Sequence, residues 1–305
     1  MAKISVICII KYQHPRLFEV LKSVKEIASE IIIADTGISE ELEKELLMID
    51  KLKIVRVKKK FSFAELIRED LKHYAKEQYI LFVDHDEIIP PDLKKFILDN
   101  YEKYDYFAIP RKNIVFNKWI KHSRWFPDYQ IRLINKDKVY WDRDIDIHKQ
   151  PELKGKGLFI EAKENLSLIH YNYENIDEYI SKAIFYAKQE SAQLIRKNKV
   201  MTLTQTIQNS ISEFISRFFA EQGYKDGTHG FALAILQMFY YFLVYFYYWE
   251  SKKYIQGNDN LPVISRSFFR KGLIETNYWL SKESLVHSIT AVKLKIENKL
   301  LSLFH

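Results

Sequence analysis

Cysteine is nearly absent: Cys8 is the only one in 305 residues. No disulfide can form within the chain, and a lone thiol in an apolar run is expected to pack in a core in a reducing, cytoplasmic setting. Glycine and proline are scarce, at 8 and 7, which excludes a long flexible linker or a disordered tail. The glycine signatures of two common nucleotide folds are also missing. No GxGxxG follows the first apolar run, and no GxxxxGK[ST] occurs anywhere, so neither a dinucleotide fingerprint nor a P-loop is expected. Met1 to Ile10 is too short an apolar run for a secretory leader. Charged Lys11 and Arg16 follow it where a cleavage site would have small residues, so it is read as a strand.

What is plentiful is apolar and basic. Hydrophobic residues make up 47%, with 20 Tyr and 20 Phe, enough for a sizeable core. The net charge of +7 suits an anionic partner, whether nucleotide, phospholipid surface or nucleic acid. Nucleic acid has nothing but charge in its favour and is set aside.

Periodicity divides the chain. Ile4 to Ile10, Glu30 to Ala34, Lys53 to Val57 and Tyr79 to Val83 read as buried strands. Between and after them, His14 to Ala28, Ser39 to Met48, Ser62 to Ala75 and Pro91 to Tyr104 read as helices, the second opened by a Ser39 cap. Such alternation predicts an α/β fold, a mostly parallel sheet with helices on both faces. Short extended pieces rich in aromatics fill Lys112 to Tyr173. From Asn175 onward the pattern is helical: Ile176 to Lys197, Thr202 to Ala220, the uncharged Phe231 to Trp249 with apolar groups all round and one Gln237, and a final basic amphipathic pair. The predicted division is 1–173 for the α/β domain and 174–305 for a helical subdomain.

In open α/β sheets, ligands bind at the carboxyl ends of strands. Two acidic positions fall there: Asp35 after the second strand, and Asp84-His85-Asp86-Glu87 after the fourth. Clustered carboxylates need a counter-charge. A divalent cation bridging to substrate phosphates would supply it; equally, the acids would cap the helix that starts at Pro90-Pro91. Without a glycine cradle, a bound diphosphate would have to be neutralised by a metal together with Lys and Arg.

Several segments in the same order resemble the family 2 glycosyltransferases of the GT-A fold, specifically the branch with lipopolysaccharide-core sugar transferases. Ile4 to Ile10 is similar to the opening strand. Ile31-Ile32-Ile33-Ala34-Asp35-Thr36-Gly37 resembles the "vDtGS" element, Ile67-Arg68-Glu69 stands where the family has Ala-Arg-Asn, and Tyr79 to Glu87 resembles the "wil.lDaDE" strand with its metal triplet. Pro127 to Leu133 resembles "p.yq.RLf", and Ile169-His170-Tyr171 the histidine that closes the module.

The resemblance implies a Rossmann-like GT-A domain and an inverting transferase. Its donor would be a nucleotide diphosphate sugar, a UDP-sugar, and its acceptor a glycan or lipid-linked glycan of the cell envelope, reached at the inner face of the cytoplasmic membrane. It implies that Asp35 binds the base with Lys11 or Tyr12 nearby, and that Arg68 lies against the diphosphate or buttresses the acids. Asp84 would sit near ribose or metal, Asp86 on a Mn2+ or Mg2+ ion, and His170 as a further ligand. Gln130 and Arg132, on one strand face, would meet donor or acceptor, or form a packed salt bridge.

One position departs from the family. Lys149, in Ile147-His148-Lys149, stands where the family's "vHE" has its glutamate base, and a charged lysine cannot take a proton. Asp146, then Asp144 and His148, are the replacement candidates, since a base must lie within hydrogen-bond reach of the attacking hydroxyl; a solvated acidic loop balanced by Arg143 and Lys149 is the plainer reading. The departure keeps a catalytically degenerate sugar-binding protein in play. A nucleotidyltransferase is the other alternative, although Lys11-Tyr12-Gln13-His14 lacks the glycine such enzymes have in that loop. Phe231 to Trp249 would be buried in the helical subdomain, or lie at or across a membrane. The basic pair Ser265 to Phe304 would be either an ordinary surface or a peripheral membrane contact.

Overall fold

The computed structural model describes residues 3–10, 13–57, 65–142, 150–257 and 260–303. The elements alternate as expected at first: Ile4–Ile10 (β1), Leu17–Val24 (α1), Glu30–Asp35 (β2), Glu40–Leu47 (α2), Leu52–Arg56 (β3), Glu65–Leu71 (α3) and Tyr79–Asp84 (β4). Glu87–Ile88 (β5), Pro91–Asn100 (α4), Tyr106–Val115 (β6), Lys118–Trp119 (β7), Asp128–Asn135 (β8), Val139–Tyr140 (β9), Glu152–Leu153 (β10), Gly157–Phe159 (β11) and Leu168–Tyr173 (β12) follow. The helical part comprises Ile176–Arg196 (α5), Leu203–Ile215 (α6), Thr228–Ser251 (α7), Leu261–Lys282 (α8) and Ser288–Leu303 (α9).

The chain divides into two compact units, 1–119 with 125–174, and 120–124 with 175–305. The excursion at 120–124 has no signature in the sequence pattern. It is stitched into the second unit by buried Asp226, whose Oδ2 accepts the N–H groups of Lys121 (3.2 Å) and His122 (2.8 Å). Ser123 Oγ donates to the Arg217 carbonyl at 2.9 Å.

In the first unit the sheet order is β3-β2-β1-β4-β8-β6-β12-β5, with β7 and β11 also paired to β6. The first four strands are parallel. Ile4, Val6, Cys8 and Ile10 of β1 pack with Leu17, Val20, Leu21 and Val24 of α1, while Ile7 faces a separate cluster with Ile32, Phe82, Ile67 and Leu71. Burial on both faces is why these strands are apolar without a break. Burial also pushes the Cys8 thiol well above its ordinary pKa, as befits a packing residue. The sheet is mixed beyond β4: β8 runs antiparallel to both β4 and β6. A wedged antiparallel strand was not legible, because a strand buried on both faces reads the same in either direction.

Some boundaries moved for local reasons. Helix α1 begins after a turn at Pro15-Arg16 instead of at His14, with the Arg16 N–H donating to His14 Nδ1 at 3.3 Å. Ser39 caps α2 as expected, its side chain accepting the Leu42 N–H at 3.2 Å. The Thr202 to Ala220 segment is α6 to Ile215, closing in a π-type turn over Ser216–Ala220.

In the second unit α7 packs along α5 and α6. It is long and apolar enough to cross a membrane, but only 22% of its most apolar 18 residues are buried. Full burial in the helical unit is therefore not what the fold provides. One side of α7 faces its neighbours and the other leaves Phe239 and Phe246 exposed.

Candidate active site

The carboxyl end of β4 delivers Asp84, and the chain turns through His85-Asp86 directly into β5 at Glu87. Strand register assembles the rest. Opposite Glu87 on β12 stands His170, and opposite His170 on β6 stands Asn113. Next along the sheet, Arg111 of β6 pairs with Asp128 of β8. Because β8 is antiparallel, its amino-terminal half lies at the same edge as the carboxyl ends of β4 and β6, so Arg132 projects into the acids.

Glu87 is fully buried. Its Oε1 accepts from Arg132 Nη2 at 2.5 Å and lies 3.4 Å from Arg111 Nη1, while its Oε2 accepts the Asp84 N–H at 3.2 Å. Arg132, 1% exposed, donates from the same Nη2 to Asp84 Oδ2. Arg68, also buried, brings its Nη2 to 3.6 Å from Asp84 Oδ1. Burial opposes ionisation of Asp84, but the Arg132 and Arg68 guanidiniums outweigh it and hold its pKa at about 2. Asp128 is likewise buried against ionisation, yet is held below the usual carboxylate range by Arg111, which donates to its Oδ2 from Nε (2.9 Å) and Nη2 (2.5 Å).

The counter-charge that the acidic run requires is thus supplied in large part by the protein itself. Arg68, Arg111 and Arg132 neutralise Asp84, Glu87 and Asp128, and Asp84 and Glu87 turn to these arginines instead of to the start of α4. Of the two roles open to Arg132, it takes the packed salt bridge. Neither Glu87 nor Arg111 stood out beforehand: Glu87 read as one more acid in a run, and Arg111 lies in an extended segment with no distinguishing spacing.

Asp86 follows on the same turn. It is buried, and its Oδ2 lies 3.6 Å from His170 Nε2; its carbonyl accepts the Tyr171 N–H at 3.0 Å, which ties β12 to the turn. His170 Nδ1 is 2.6 Å from Asn113 Oδ1. The Asn113 amide is oriented by its other end, where Nδ2 donates to the Trp125 carbonyl at 2.7 Å and to Asp128 Oδ2 at 3.1 Å. Oδ1 must therefore accept from His170, so Nδ1 carries a proton and Nε2 faces Asp86. A carboxylate oxygen and an imidazole nitrogen facing each other can serve as a donor pair for a divalent cation, and a ring N–H held by an amide oxygen is the usual support for a ligating histidine. Among the described residues, no group of three or more His, Cys, Asp and Glu is arranged to hold a metal.

Asp35, at the end of β2, accepts the N–H groups of Gly37 (2.8 Å) and Ile38 (2.9 Å) through Oδ1, shaping the turn into α2. Its Oδ2 lies 3.9 Å from Arg56 Nε. Gln130 donates to Asp128 Oδ1 at 3.0 Å. The sheet edge also holds buried His14, its ring centroid 5.2 Å from that of His85. Lys11 and Tyr12, and the base candidates Asp144, Asp146 and His148, lie outside the described residues.

An α/β sheet with an acidic carboxyl edge and a helical second unit is the architecture on which the comparisons bear. Residues 5–150 match the model of Glycosyl transferase family 2. This segment is a family 2 glycosyltransferase domain. An uncharacterized glycosyltransferase from Rickettsia bellii is 25% identical over 267 residues, covering 79% of this chain and 84% of the relative. The crystal structure of S. aureus TarS is similar at 13% identity and a TM-score of 0.39, covering 81% of this chain and 54% of TarS. The structure of TarS 1-349 in complex with UDP is similar at 14% identity and a TM-score of 0.42, over 84% of this chain and 93% of that one. The sheet order, with β3-β2-β1-β4 parallel and β8 inserted antiparallel, gives the transferase domain its GT-A form.

Proposed function

We propose that this transferase domain moves a sugar, with inversion, from a nucleotide diphosphate donor, a UDP-sugar, to a hydroxyl of a glycan or lipid-linked glycan of the cell envelope. The work would be done on the cytoplasmic side of the membrane. The observation that carries the reading is the Asp86–His170 pair, 3.6 Å apart, beside the acids Asp84 and Glu87 at the carboxyl end of β4. Asp86 and His170 would hold a Mn2+ or Mg2+ ion through one carboxylate oxygen and one imidazole nitrogen. When bound, such an ion offsets charge on a departing diphosphate.

The chain's own residues would do the rest. Asp35 would meet the base, with Lys11 or Tyr12 from the first loop. Arg68, Arg111 and Arg132 hold Asp84 and Glu87 in place, so that the edge is ordered before a donor arrives. The acceptor oxygen forms its bond to the anomeric carbon as the bond to the diphosphate oxygen breaks, the electron pair leaving with the diphosphate. Asp146, or Asp144 or His148, would take the hydroxyl proton in place of the glutamate that Lys149 replaces.

Purified protein incubated with a panel of nucleotide sugars, with and without Mn2+, should release nucleoside diphosphate from one of them. Chelation should stop the release, and Asp86→Ala should lower it by at least about 100-fold with an unchanged circular dichroism spectrum. Turnover retained in Asp86→Ala would remove the metal assignment. Donor binding without any turnover would instead identify a catalytically degenerate sugar-binding protein.

A further inference from the structure

Helix α9 packs on α8 through one face, where Ala291, Leu294, Asn298 and Leu301 are half-buried. Polar contacts join the two helices. Asn298 Nδ2 donates to the Ile274 carbonyl at 2.8 Å, and buried Asn277 donates to Asn298 Oδ1 at 3.0 Å and to Glu297 Oε2 at 3.1 Å. Ser281 Oγ reaches the Ala291 carbonyl at 3.4 Å. Ile289, Val292, Ile296, Leu300 and Leu303 recur at intervals of three and four, which aligns them on one stripe, and all five are between 54% and 75% exposed. At 3.6 residues per turn, Lys293 borders the stripe on one side and Lys295 and Lys299 on the other, all three exposed. Across 261–303, seven Lys and Arg stand against three Asp and Glu. On α8, Arg266, Phe269, Arg270 and Leu273 line a groove of about 440 Å3 closed by Leu301, so basic and apolar groups alternate there too.

We propose that this stripe docks on an anionic phospholipid bilayer, with its aliphatic residues in the headgroup–acyl boundary and its lysines among the phosphates. A patch of five large aliphatic side chains needs a cover, and its lysine border selects which. A second copy set stripe on stripe would bring two lysine borders together, while the one acid of α9, Glu297, is held by Asn277. Anionic lipid supplies the missing charge. The surface gives the membrane contact of the proposed function a location; it rests on that reading for its purpose only.

Flotation of the full chain with phosphatidylglycerol-rich vesicles, against phosphatidylcholine alone, tests it without any donor. Wild type should float with the anionic vesicles, and added salt should weaken the binding. Replacing Lys293, Lys295 and Lys299 by Gln should weaken it roughly 100-fold, at about fivefold per lysine. Ile296→Asn with Leu300→Asn should weaken it at least about tenfold while leaving the thermal melt unchanged, since both residues are exposed. If that pair disturbs the melt, the lysine variants carry the test. Failure to float, or equal flotation of wild type and variants, overturns the proposal. So does a dimer in sedimentation that becomes a monomer in the Ile296/Leu300 variant, which would make a second copy the cover. Vesicle binding with no nucleotide-sugar turnover would sink the transferase reading alone, and turnover without vesicle binding would sink this one alone.

Discussion

Replacing Arg132 by Met is the sharpest probe of the arginine-neutralised edge. The side chain is 1% exposed and one of its nitrogens serves both Asp84 and Glu87. Methionine fills a similar volume without charge, so Glu87 would lose the nearer of its two described arginines, keeping Arg111 at 3.4 Å, and Asp84 would keep Arg68 at 3.6 Å. Removing one partner of a buried ion pair costs about 3–5 kcal/mol, because the remaining charge stays desolvated. At pH 7, urea unfolding of the transferase domain should show a loss of that size with an unchanged slope.

The loss should also depend on pH in a defined sense. The folded pKa of Asp84, about 2, lies below its ordinary value of 3.8, so its contribution is complete above the ordinary value and disappears as pH falls through the folded one. The gap between wild type and Arg132→Met should therefore narrow as pH drops from about 4 toward 2. A cycle with Glu87→Gln should return a coupling of about 1–3 kcal/mol. A destabilisation under about 1 kcal/mol, or a gap that does not change with pH, would refute the claim that Arg132 neutralises these acids.

Three further outcomes follow from particular contacts. Asn113→Leu should free the His170 tautomer and weaken Mn2+ binding, read by calorimetry, by about 10–100-fold; unchanged affinity would separate His170 from the metal. Asn175 caps α5 by accepting the Glu178 N–H at 2.8 Å, so Asn175→Ala should cost about 1 kcal/mol of stability, whereas a neutral result would mean the cap is solvated in solution. A Cβ on Gly230 would sit 1.8 Å from the Gly223 carbonyl oxygen, a backbone atom that cannot swing aside. Gly230→Ala should therefore lower stability by more than about 2 kcal/mol, and a wild-type melt would show that the start of α7 is looser than described.

Much of the fold was legible because it rests on short-range chemistry. The unbroken apolar runs of β1, β2 and β4 report burial on two faces, Ser39 announces α2 by capping it, and the end of β4 announces itself with carboxylates. The candidate edge followed from the rule that α/β sheets use their carboxyl ends, which pointed to the acidic run that opens at Asp84.

What tertiary structure alone decided is how those charges are balanced. Arg111 and Arg132 reach the acids from strands 24 and 45 residues beyond Glu87, and Asn113 and His170 meet across 57. Nothing local distinguishes such arginines from solvated ones; only the antiparallel insertion of β8 and the register of β6 with β12 bring them in. The same limit applies to α9. Its sequence shows an apolar stripe and lysines, but a stripe can face a core or a lipid with identical periodicity. The packing of Asn298 and Leu301 against α8 settles the direction, because it leaves the stripe from Ile289 to Leu303 pointing outward.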